Sequence, residues 1–457
     1  MTTIKPSLAR GTRDFGPELM AKRKYIFNTI EAVFRLYGYL PLETPAMENL
    51  QTLTGKYGEE GDRLIFKILN SGDYLSGISE EQLTEAKNQQ SRALTPLISE
   101  KALRYDLTVP LARYVSMHRG QLHFPFKRYQ IQPVWRADRP QKGRYREFYQ
   151  CDVDVIGSDS LFHEAELIAI YQEVFLRLGF KQFTIRINNR KLFAALAKAI
   201  GMQDKKEDFI LTLDKLDKIG EEALKQELIG KGAQSASLEK LFALLKSRSY
   251  DEIFSGLANL EQDEQVQTGI FEMKKLLELC DALALDPNHI RFDLSLARGL
   301  DYYTGTIMEV VTQEVAMGSI GGGGRYDNLT GIFGVDGLTG VGVSFGAERI
   351  LDVMEQLELF PEGLQEAGKA LIFYFSETEF SYAIWLLKSL RTEGIAAELY
   401  TEGHKMKKAF QYAEARHIPY LLILGDQERE SQTVSLKHLA SGEQERLNQQ
   451  ELIQKLR

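Results

Sequence analysis

Cysteine is scarce in this chain, and long apolar runs are missing from it. Cys151 and Cys280 are the only cysteines among 457 residues, too few for a disulfide framework. This scarcity is typical of a reduced compartment, so we expect the protein to be cytoplasmic. No apolar run approaches the roughly 20 residues that cross a bilayer, and residues 1–13 lack the apolar segment of a signal peptide. We therefore expect no membrane partner.

A strong excess of positive charge is also missing. The chain has 56 Lys and Arg residues against 64 Asp and Glu residues, a formal net charge of −8. This balance argues against bulk, non-specific binding to nucleic acid, which requires a basic face. A local basic channel is compatible with it, because electrostatic steering depends on where the charges lie. The seven histidines are scattered and form no cluster with cysteine, so we expect no zinc site.

The length and the changes of pattern along the chain predict several domains. Residues 1–195 and 286–360 contain the strands of one core in two parts. Residues 196–285 are strongly helical, so we interpret them as an insertion into that core. A linker over 361–368 leads to residues 368–457, where strands and helices alternate as in a small α/β domain with a mixed sheet.

Hydrophobic periodicity predicts individual elements within the core. Residues 20–37 form an amphipathic helix, and 39–45 form an edge or interface strand because prolines occupy positions 41 and 45. Residues 70–100 are a polar surface insertion with a local helix near 80–90. Further predicted elements are strands at 64–69, 102–107, 125–133, 147–157, 183–187 and 290–296, a helix at 164–178, and a strand that enters a helix over 340–354.

The most informative segment is 297–305, which follows a predicted strand. It contains Arg298, Tyr302 and Tyr303 together with two glycines. Glycine lets backbone and ligand approach closely, and a guanidinium offers a fixed fork of donors to phosphate or carboxylate. We interpret this segment as a recognition platform.

A second segment, 134–150, is a basic loop between two predicted strands. A solvated hairpin tip would be the better interpretation of a basic run alone. Here aromatic residues lie between the charges, and cations for phosphates with a ring for a base are what a nucleotide site needs. The cations are Arg136, Arg139, Lys142, Arg144 and Arg146.

A third segment, 340–350, is a glycine-rich strand that enters a helix. By itself it would indicate only a tightly packed junction. Arg349, near the start of the helix, also offers a cation to a ligand on the sheet. The segment is neither a dinucleotide fingerprint nor a P-loop, because the glycine spacing differs and no Gly-Lys-Ser/Thr follows.

These segments resemble motifs of the class II aminoacyl-tRNA synthetases. The proline strand that ends at Pro45 resembles motif 1, the Arg136 loop motif 2, and residues 340–350 motif 3. Residues 298–303 and 322–327 resemble the two histidine-specific motifs of the histidyl-tRNA synthetase family. The resemblance implies an α+β fold, in which an antiparallel-sheet catalytic core with a helical insertion is followed by a small C-terminal α/β anticodon-binding domain.

The resemblance implies a site for ATP. Arg136 would grip the α-phosphate and the histidine carboxylate, and Arg144 would reach toward the γ-phosphate. Phe148 and Arg349 would cover the two faces of the adenine, a favourable sandwich for a base. Asp138 belongs to the same implied site, and Mg²⁺ would bridge the β- and γ-phosphates of ATP.

The resemblance also implies a site for histidine. Asp106 would pair with the α-ammonium, although a buried strand with one capped acid is an alternative interpretation of its segment. Asp154 and Tyr303 would recognise the imidazole by hydrogen bonds, which reject analogues by roughly 10⁴ to 10⁵ without editing. The implied histidine site is Asp106, Thr108, Arg136, Gln150, Asp154, Arg298, Tyr302, Tyr303 and Tyr326. Of these, Arg298 and Arg136 are the predicted catalytic residues.

Three acids depart from the bacterial pattern of the family. Asp106, Asp138 and Asp154 stand where glutamate is common, which resembles the eukaryotic or archaeal branch. All three keep a carboxylate, so we expect their roles to persist.

The implied activity is the ATP-dependent joining of histidine to its cognate tRNA by a homodimer that associates through the motif 1 region. Lys405, Lys407 and Lys408 would face RNA, or form a solvated helix face. Three alternatives are a non-catalytic paralogue that serves as a regulatory subunit in histidine biosynthesis, another class II synthetase, and a generic nucleotide-binding scaffold. The retained motif arginines argue against the regulatory paralogue. Residues 298–303 argue against another class II synthetase, and the C-terminal domain argues against a generic scaffold.

Overall fold

The computed structural model describes residues 4–89, 93–260, 263–297, 302–364 and 368–457. The chain divides into two compact units, Met1–Asp14 with Arg23–Phe360 and Phe15–Lys22 with Pro361–Arg457. Within the part of the chain that the structure describes, no helix combines the length and the apolar character that a bilayer crossing requires.

The first unit is built on a large, mainly antiparallel sheet. The strands of the described part of this unit are β1 (Leu40–Pro41), β2 (Met47–Asn49), β3 (Lys67–Ile68), β4 (Lys101–Leu103), β5 (Phe126–Trp135), β6 (Glu147–Ile156), β7 (Phe183–Asn189), β8 (Ile290–Phe292), β9 (Thr306–Thr312), β10 (Gly321–Asp327) and β11 (Thr339–Gly346). In the described residues the large sheet has eight strands in the order β1-β5-β6-β11-β10-β9-β7-β8, and β2-β4-β3 form a small one. Among the described strands of the large sheet, only the edge strands β1 and β8 pair in parallel with their neighbours. The predicted antiparallel core is thus confirmed, as is the edge position of the proline strand.

Helices pack on this sheet and fill one of its connections. The helices from α8 (Phe193–Ala199) to α14 (Glu264–Ala282) lie between β7 and β8, so the predicted helical insertion into the core is confirmed. The helices of the described chain up to residue 356 are α1 (Pro17–Leu36), α2 (Leu50–Leu53), α3 (Gly58–Arg63), α4 (Glu80–Gln89), α5 (Thr95–Ile98), α6 (Thr108–His118), α7 (Phe162–Arg177), α8 (Phe193–Ala199), α9 (Lys206–Leu213), α10 (Leu216–Ile219), α11 (Glu221–Gly230), α12 (Ser235–Lys246), α13 (Tyr250–Leu260), α14 (Glu264–Ala282) and α15 (Ala347–Gln356).

An aromatic cluster joins the sheet to the helices that cover one of its faces. The Phe345 ring of β11 lies 5.8 Å from the Phe34 ring of α1. It lies 4.8 Å and 5.6 Å from the rings of Tyr171 and Phe175 in α7. Aromatic rings contribute large buried areas, so this cluster anchors the covered face of the sheet. The opposite face is left for polar side chains.

Four predicted strands are shorter than expected. Those at 39–45 and 290–296 extend only over β1 and β8. The strand predicted at 102–107 ends with β4, because the Asp106 carboxylate accepts a hydrogen bond from the Val109 amide at 3.1 Å and turns the chain into α6. The strand predicted at 64–69 is reduced to the two residues of β3. The local helix expected near 80–90 is present as α4.

Two central strands were not predicted. Four consecutive glycines open β10, and glycine has a low strand propensity, so its sequence indicated no strand. β9 follows directly on the segment that had been interpreted as a recognition platform. Tertiary pairing with β11 overrides the weak local preference of β10. β9 has the β-branched composition of a strand, so its strand was overlooked in a sequence that favours one.

The second unit contains a mixed sheet. β12 (Ala370–Tyr374) pairs in parallel with β13 (Ala397–Leu399) and β14 (Tyr420–Leu424), whereas β15 (Thr433–His438) and β16 (Gln444–Asn448) continue it antiparallel. The strand order is β13-β12-β14-β15-β16. The predicted mixed α/β arrangement is confirmed, although β15 and β16 were not predicted. The helices of this unit are α16 (Glu377–Thr392), α17 (Met406–Ala415), α18 (Asp426–Ser431) and α19 (Gln449–Leu456).

Candidate active site

Alternation along β6 separates the core of the first unit from a polar site. Cys151 and Val153 belong to the apolar core. Successive side chains of a strand point to opposite faces, so Asp152 and Asp154 lie on the other face. Both line a cavity there. The strand therefore carries apolar core residues on one face and polar cavity-lining residues on the other.

β11 leaves room for these acids beside β6. Gly342 pairs in register with Asp154, and Ser344 pairs with Asp152. A Cβ atom added to Gly342 would lie 1.9 Å from Asp154 Oδ1. The absence of a side chain at Gly342 is thus the steric condition for the position of the Asp154 carboxylate.

Two adjoining cavities open on the polar face of the sheet. The smaller has a volume of about 280 Å³ and the larger about 560 Å³. They share a wall made by Arg136, Gln150, Ser319, Gly322 and Ser344. Two ligands bound in these cavities would therefore meet at these shared residues.

The smaller cavity collects the predicted histidine-binding residues. Every one of them that the structure describes lies in its lining, and Arg298 lies outside the described residues. The structure thus brings the predicted side chains together, and their binding roles stay predictions. The residues concerned are Asp106, Thr108, Arg136, Gln150, Asp154, Tyr302, Tyr303 and Tyr326.

Asp106 lies at one end of this cavity. Its carboxylate accepts hydrogen bonds from the Tyr57 hydroxyl at 3.0 Å and the Tyr302 hydroxyl at 3.3 Å, besides the Val109 amide. Burial raises the pKa of Asp106, and these donors together with Arg136 oppose the rise. The carboxyl is thus held in place and suits a cationic partner.

Asp154 lies deeper and contacts both a phenol and a guanidinium. Its Oδ1 accepts a hydrogen bond from the Tyr326 hydroxyl at 2.6 Å, and its Oδ2 lies 2.8 Å from Arg128 Nη2. Burial raises the pKa of Asp154, while Arg128 and Tyr326 oppose the rise. The nearby Tyr303 phenol is also buried, and desolvation together with the surrounding carboxylates raises its pKa. It therefore stays protonated and able to donate.

Two acceptors of residues in this lining are incompletely bonded. Gln150 Oε1 has no hydrogen-bond donor within the described part of the chain, and Asp154 Oδ2 has only the Arg128 guanidinium, at 2.8 Å, beside it. A buried polar atom without a partner is costly, and such atoms are often satisfied by a ligand. The Gln150 amide itself is oriented by donation from Nε2 to Ser344 Oγ at 3.2 Å. The cavity is therefore shaped for a ligand that brings its own N–H donors.

Two further acids in the smaller cavity were not predicted as binding residues. Asp152 shares a strand face with Asp154, a relation that the alternation already indicated. Glu309 is buried and pairs with Arg186 at 3.2 Å. It was missed because β9 was not predicted as a strand, although the β-branched residues of Thr306–Thr312 favour one.

The larger cavity collects the predicted ATP-binding residues. Arg136, Asp138, Arg144, Phe148 and Arg349 all line it. The Arg136 guanidinium lies between two rings, 4.3 Å from the centre of Tyr105 and 5.2 Å from that of Phe148. These contacts fix Arg136 at the wall that the two cavities share.

One ion pair and two hydrogen bonds connect residues that line the larger cavity. Arg144 pairs with Asp138 at 2.9 Å. Arg349 donates from Nε to the Gly143 carbonyl at 2.9 Å and from Nη1 to the Ser319 carbonyl at 2.6 Å. Arg349 thereby ties the helix after β11 to the loop between β5 and β6.

The helical insertion also contributes to the larger cavity. Asp214, which follows α9, and Lys218 of α10 line it. Their sequence shows only the charge pattern of a solvated helix, so no signal would have found them. Among the residues that the structure describes, no group of three or more His, Cys, Asp or Glu side chains is arranged to hold a metal ion.

The chain is similar to known proteins along nearly its whole length. A family profile described as Histidyl-tRNA synthetase matches residues 79–350, and one described as Anticodon binding domain matches residues 369–457. A histidine–tRNA ligase from Christiangramia forsetii is 52% identical over 447 residues, covering 97% of each chain. One from Cytophaga hutchinsonii is 50% identical over 454 residues, covering 99% of each chain. A crystal structure of histidyl-tRNA synthetase from Nostoc sp. PCC 7120 has 30% sequence identity and a TM-score of 0.83, and 99% of each chain is covered.

Because Asp152 is buried, we predict that its carboxylate lowers the free energy of unfolding in a pH-dependent way. Desolvation raises its pKa from 3.8 to about 7, opposed by Arg128 and reinforced by Asp154. The folded state therefore binds the proton more tightly than the unfolded state, so the free energy of unfolding falls as the pH rises between those values. We expect Asp152→Asn to raise the thermal unfolding midpoint at pH 8 by a few degrees and to raise it less at pH 5.

Circular dichroism at both pH values measures this effect, with Asp159→Asn as a control that removes an exposed acid. An equal shift of the Asp152→Asn midpoint at the two pH values would contradict the assignment.

Proposed function

We propose that this chain, which belongs to the histidyl-tRNA synthetase family, is a histidine–tRNA ligase. It joins histidine to ATP as histidyl-adenylate, releases pyrophosphate, and transfers the histidyl group to the 3′ end of its tRNA. The observation that carries this proposal is a pair of buried acceptors in the lining of the smaller cavity. They are the Gln150 amide oxygen, which has no donor among the described residues, and the Asp154 carboxylate. Histidine supplies donors for both, an ammonium and an imidazole N–H.

We infer that histidine occupies the smaller cavity with its side chain toward Asp154. The ammonium lies between Asp106 and Gln150, where a carboxylate and an amide oxygen accept its protons. The imidazole donates one N–H to Asp154 Oδ2 and accepts from the Tyr303 hydroxyl at its other nitrogen. Thr108, Tyr302 and Tyr326 complete the cavity, the two tyrosines by holding Asp106 and Asp154.

MgATP as substrate occupies the larger cavity. Phe148 stacks on one face of the adenine, and the Arg349 guanidinium covers the other. Arg144 and Asp138 lie toward the β- and γ-phosphates. The family implies Mg²⁺ on those phosphates, where it screens their charge.

The chemistry follows from the wall that the two cavities share. Arg136 is fixed there, so it contacts both the histidine carboxylate and the α-phosphate. One carboxylate oxygen forms the new bond to the α-phosphorus while the bond from phosphorus to pyrophosphate breaks. The nucleophile is already ionised, so the protein needs no base. Positioning and charge stabilisation by Arg136 and Arg298 supply the rate enhancement.

We propose tRNA and a second copy of the chain as partners. The second unit receives the anticodon, which its match to the Anticodon binding domain profile supports. The helical insertion holds the acceptor arm. Exposed apolar side chains near the predicted motif 1 strand support a homodimer there, since Leu40, Met47 and Met117 are 64%, 55% and 67% exposed.

The regulatory paralogue is the disfavoured alternative. A non-catalytic subunit has no need to keep the arginines that contact ATP, yet Arg136, Arg144 and Arg349 all line the larger cavity. The full-length relatives at about 50% identity are named histidine–tRNA ligases.

Amino-acid-dependent exchange between ATP and pyrophosphate tests the proposed function without tRNA. We expect exchange with histidine and background rates with the other standard amino acids, because only histidine satisfies both buried acceptors and Tyr303. Exchange with a different amino acid would overturn the roles of Asp154 and Tyr303. Absence of exchange in folded protein that binds ATP would favour the regulatory paralogue.

Arg298 is expected to act mainly in the transition state. Arg298→Met should lower kcat of the exchange reaction by roughly 10² to 10³ and change the ATP KM by less than about fivefold, as expected for charge stabilisation. Arg291→Met is a suitable control, since Arg291 lies 3.6 Å from Asp293 and in neither cavity lining. Equal losses in kcat and in ATP binding would contradict a catalytic role for Arg298.

Gly342 is expected to be indispensable for histidine recognition. In Gly342→Ala the new Cβ displaces the Asp154 carboxylate, which it would otherwise meet at 1.9 Å. We expect the histidine KM to rise by about 10² in the exchange assay, as for other displacements of about 1 Å. The ATP KM is the internal control, and a parallel rise in both constants would mean a general loss of structure instead.

A further inference from the structure

A buried arginine lies directly behind the proposed imidazole acceptor. Arg128 is on β5 and pairs in register with Asp154 of β6. Its side chain is 0% exposed, and its Nη2 atom lies 2.8 Å from Asp154 Oδ2. Arg128 is not in the lining of either cavity. It therefore acts on a ligand only through another side chain.

The surroundings of Arg128 satisfy few of its donors. Its Nε and Nη1 atoms have no hydrogen-bond partner among the described residues. Its Nη2 donates to the Leu107 carbonyl at a long 3.4 Å. A guanidinium has five N–H donors, and leaving them unsatisfied in the interior is costly. A residue selected only to hold the fold together would be better bonded than this.

The charge of Arg128 has a clear use where it lies. Asp152 and Asp154 are two residues apart on the same strand face, so their carboxylates are neighbours in a buried place. Two buried carboxylates without a cation repel each other, and one of them takes up a proton. Arg128 is the cation that faces both, and it lowers the pKa of each.

The geometry also leaves one Asp154 oxygen open. Oδ1 accepts from Tyr326. Oδ2 forms the ion pair with the guanidinium, at 2.8 Å from Arg128 Nη2. A carboxylate oxygen has two lone pairs, so Oδ2 can accept from a further donor beside this ion pair.

We propose that Arg128 is a positioning residue for histidine specificity, which holds Asp154 ionised and oriented with Oδ2 free for the imidazole N–H. Asp152 is the second acid of this unit, and its charge is the reason that the cation is needed. This inference rests on the proposed function, since it assigns Asp154 to the imidazole. Histidine binding, and not ATP binding, therefore depends on Arg128.

The test compares four variants in the exchange assay, with the KM of histidine and of ATP measured for each. Arg128→Met should raise the histidine KM at least tenfold and leave the ATP KM within twofold. Adding Asp152→Asn should then lower the histidine KM at least threefold, because it removes one of the two carboxylate charges that lost their cation. Asp152→Asn alone is the reference for the effect of this substitution in the double variant.

Arg113→Met is the matched control. Arg113 also pairs with a buried carboxylate, that of Glu48 at 2.8 Å, but lies in neither cavity lining. It should lower the thermal unfolding midpoint without changing either KM by more than twofold.

Several outcomes would overturn the proposal. They are an unchanged histidine KM in Arg128→Met, an equal rise of both KM values, or no recovery on adding Asp152→Asn. Should Arg128→Met not fold, Arg128→Lys replaces it, with at least a threefold rise in histidine KM alone expected and no rise contradicting the role. Absence of histidine-dependent exchange in the wild-type protein would instead overturn the proposed function, so the two failures are distinguishable.

Discussion

The two-residue alternation of the central strands is the constraint on which the rest of this structure depends. β6 and β11 lie side by side, and each sends every second side chain into the apolar core. The intervening residues are thereby forced onto one polar face. A shift of one residue in the pairing would exchange the two sets. The core that includes Phe345 therefore fixes the position of Asp152 and Asp154 as firmly as it stabilises the fold.

The polar face places several acids in a buried cavity, which is unfavourable without compensation. Phenols and guanidiniums provide it. Tyr57 and Tyr302 donate to Asp106, and Tyr326 donates to Asp154. Compensation is incomplete at Asp152 and Asp154, where burial still raises both pKa values. Such residual cost is typical of sites that gain their remaining partners from a ligand.

Much of this arrangement could be predicted from local signals. The periodicity of apolar residues correctly predicted α1, α7, β5 and β6. The prolines correctly predicted an edge position for their strand. The basic loop and the glycine-rich junction both proved to line one cavity. Local signals failed where tertiary pairing overrides propensity, as in the glycines of β10. Glu309 was missed because the strand composition of β9 was overlooked. The insertion residues Asp214 and Lys218 were missed because only packing brings them to a cavity.

The sequence by itself determined the types of side chain available, the order of the motifs and the division into a core, a helical insertion and an α/β unit. These follow from periodicity and composition, which are local properties of the chain. Only the tertiary structure decided that one arginine, Arg136, stands between two cavities, and that a second, Arg128, lies behind an acid without entering either. Both positions are set by strand register, which joins residues far apart in the chain and so leaves no mark in any short stretch of sequence.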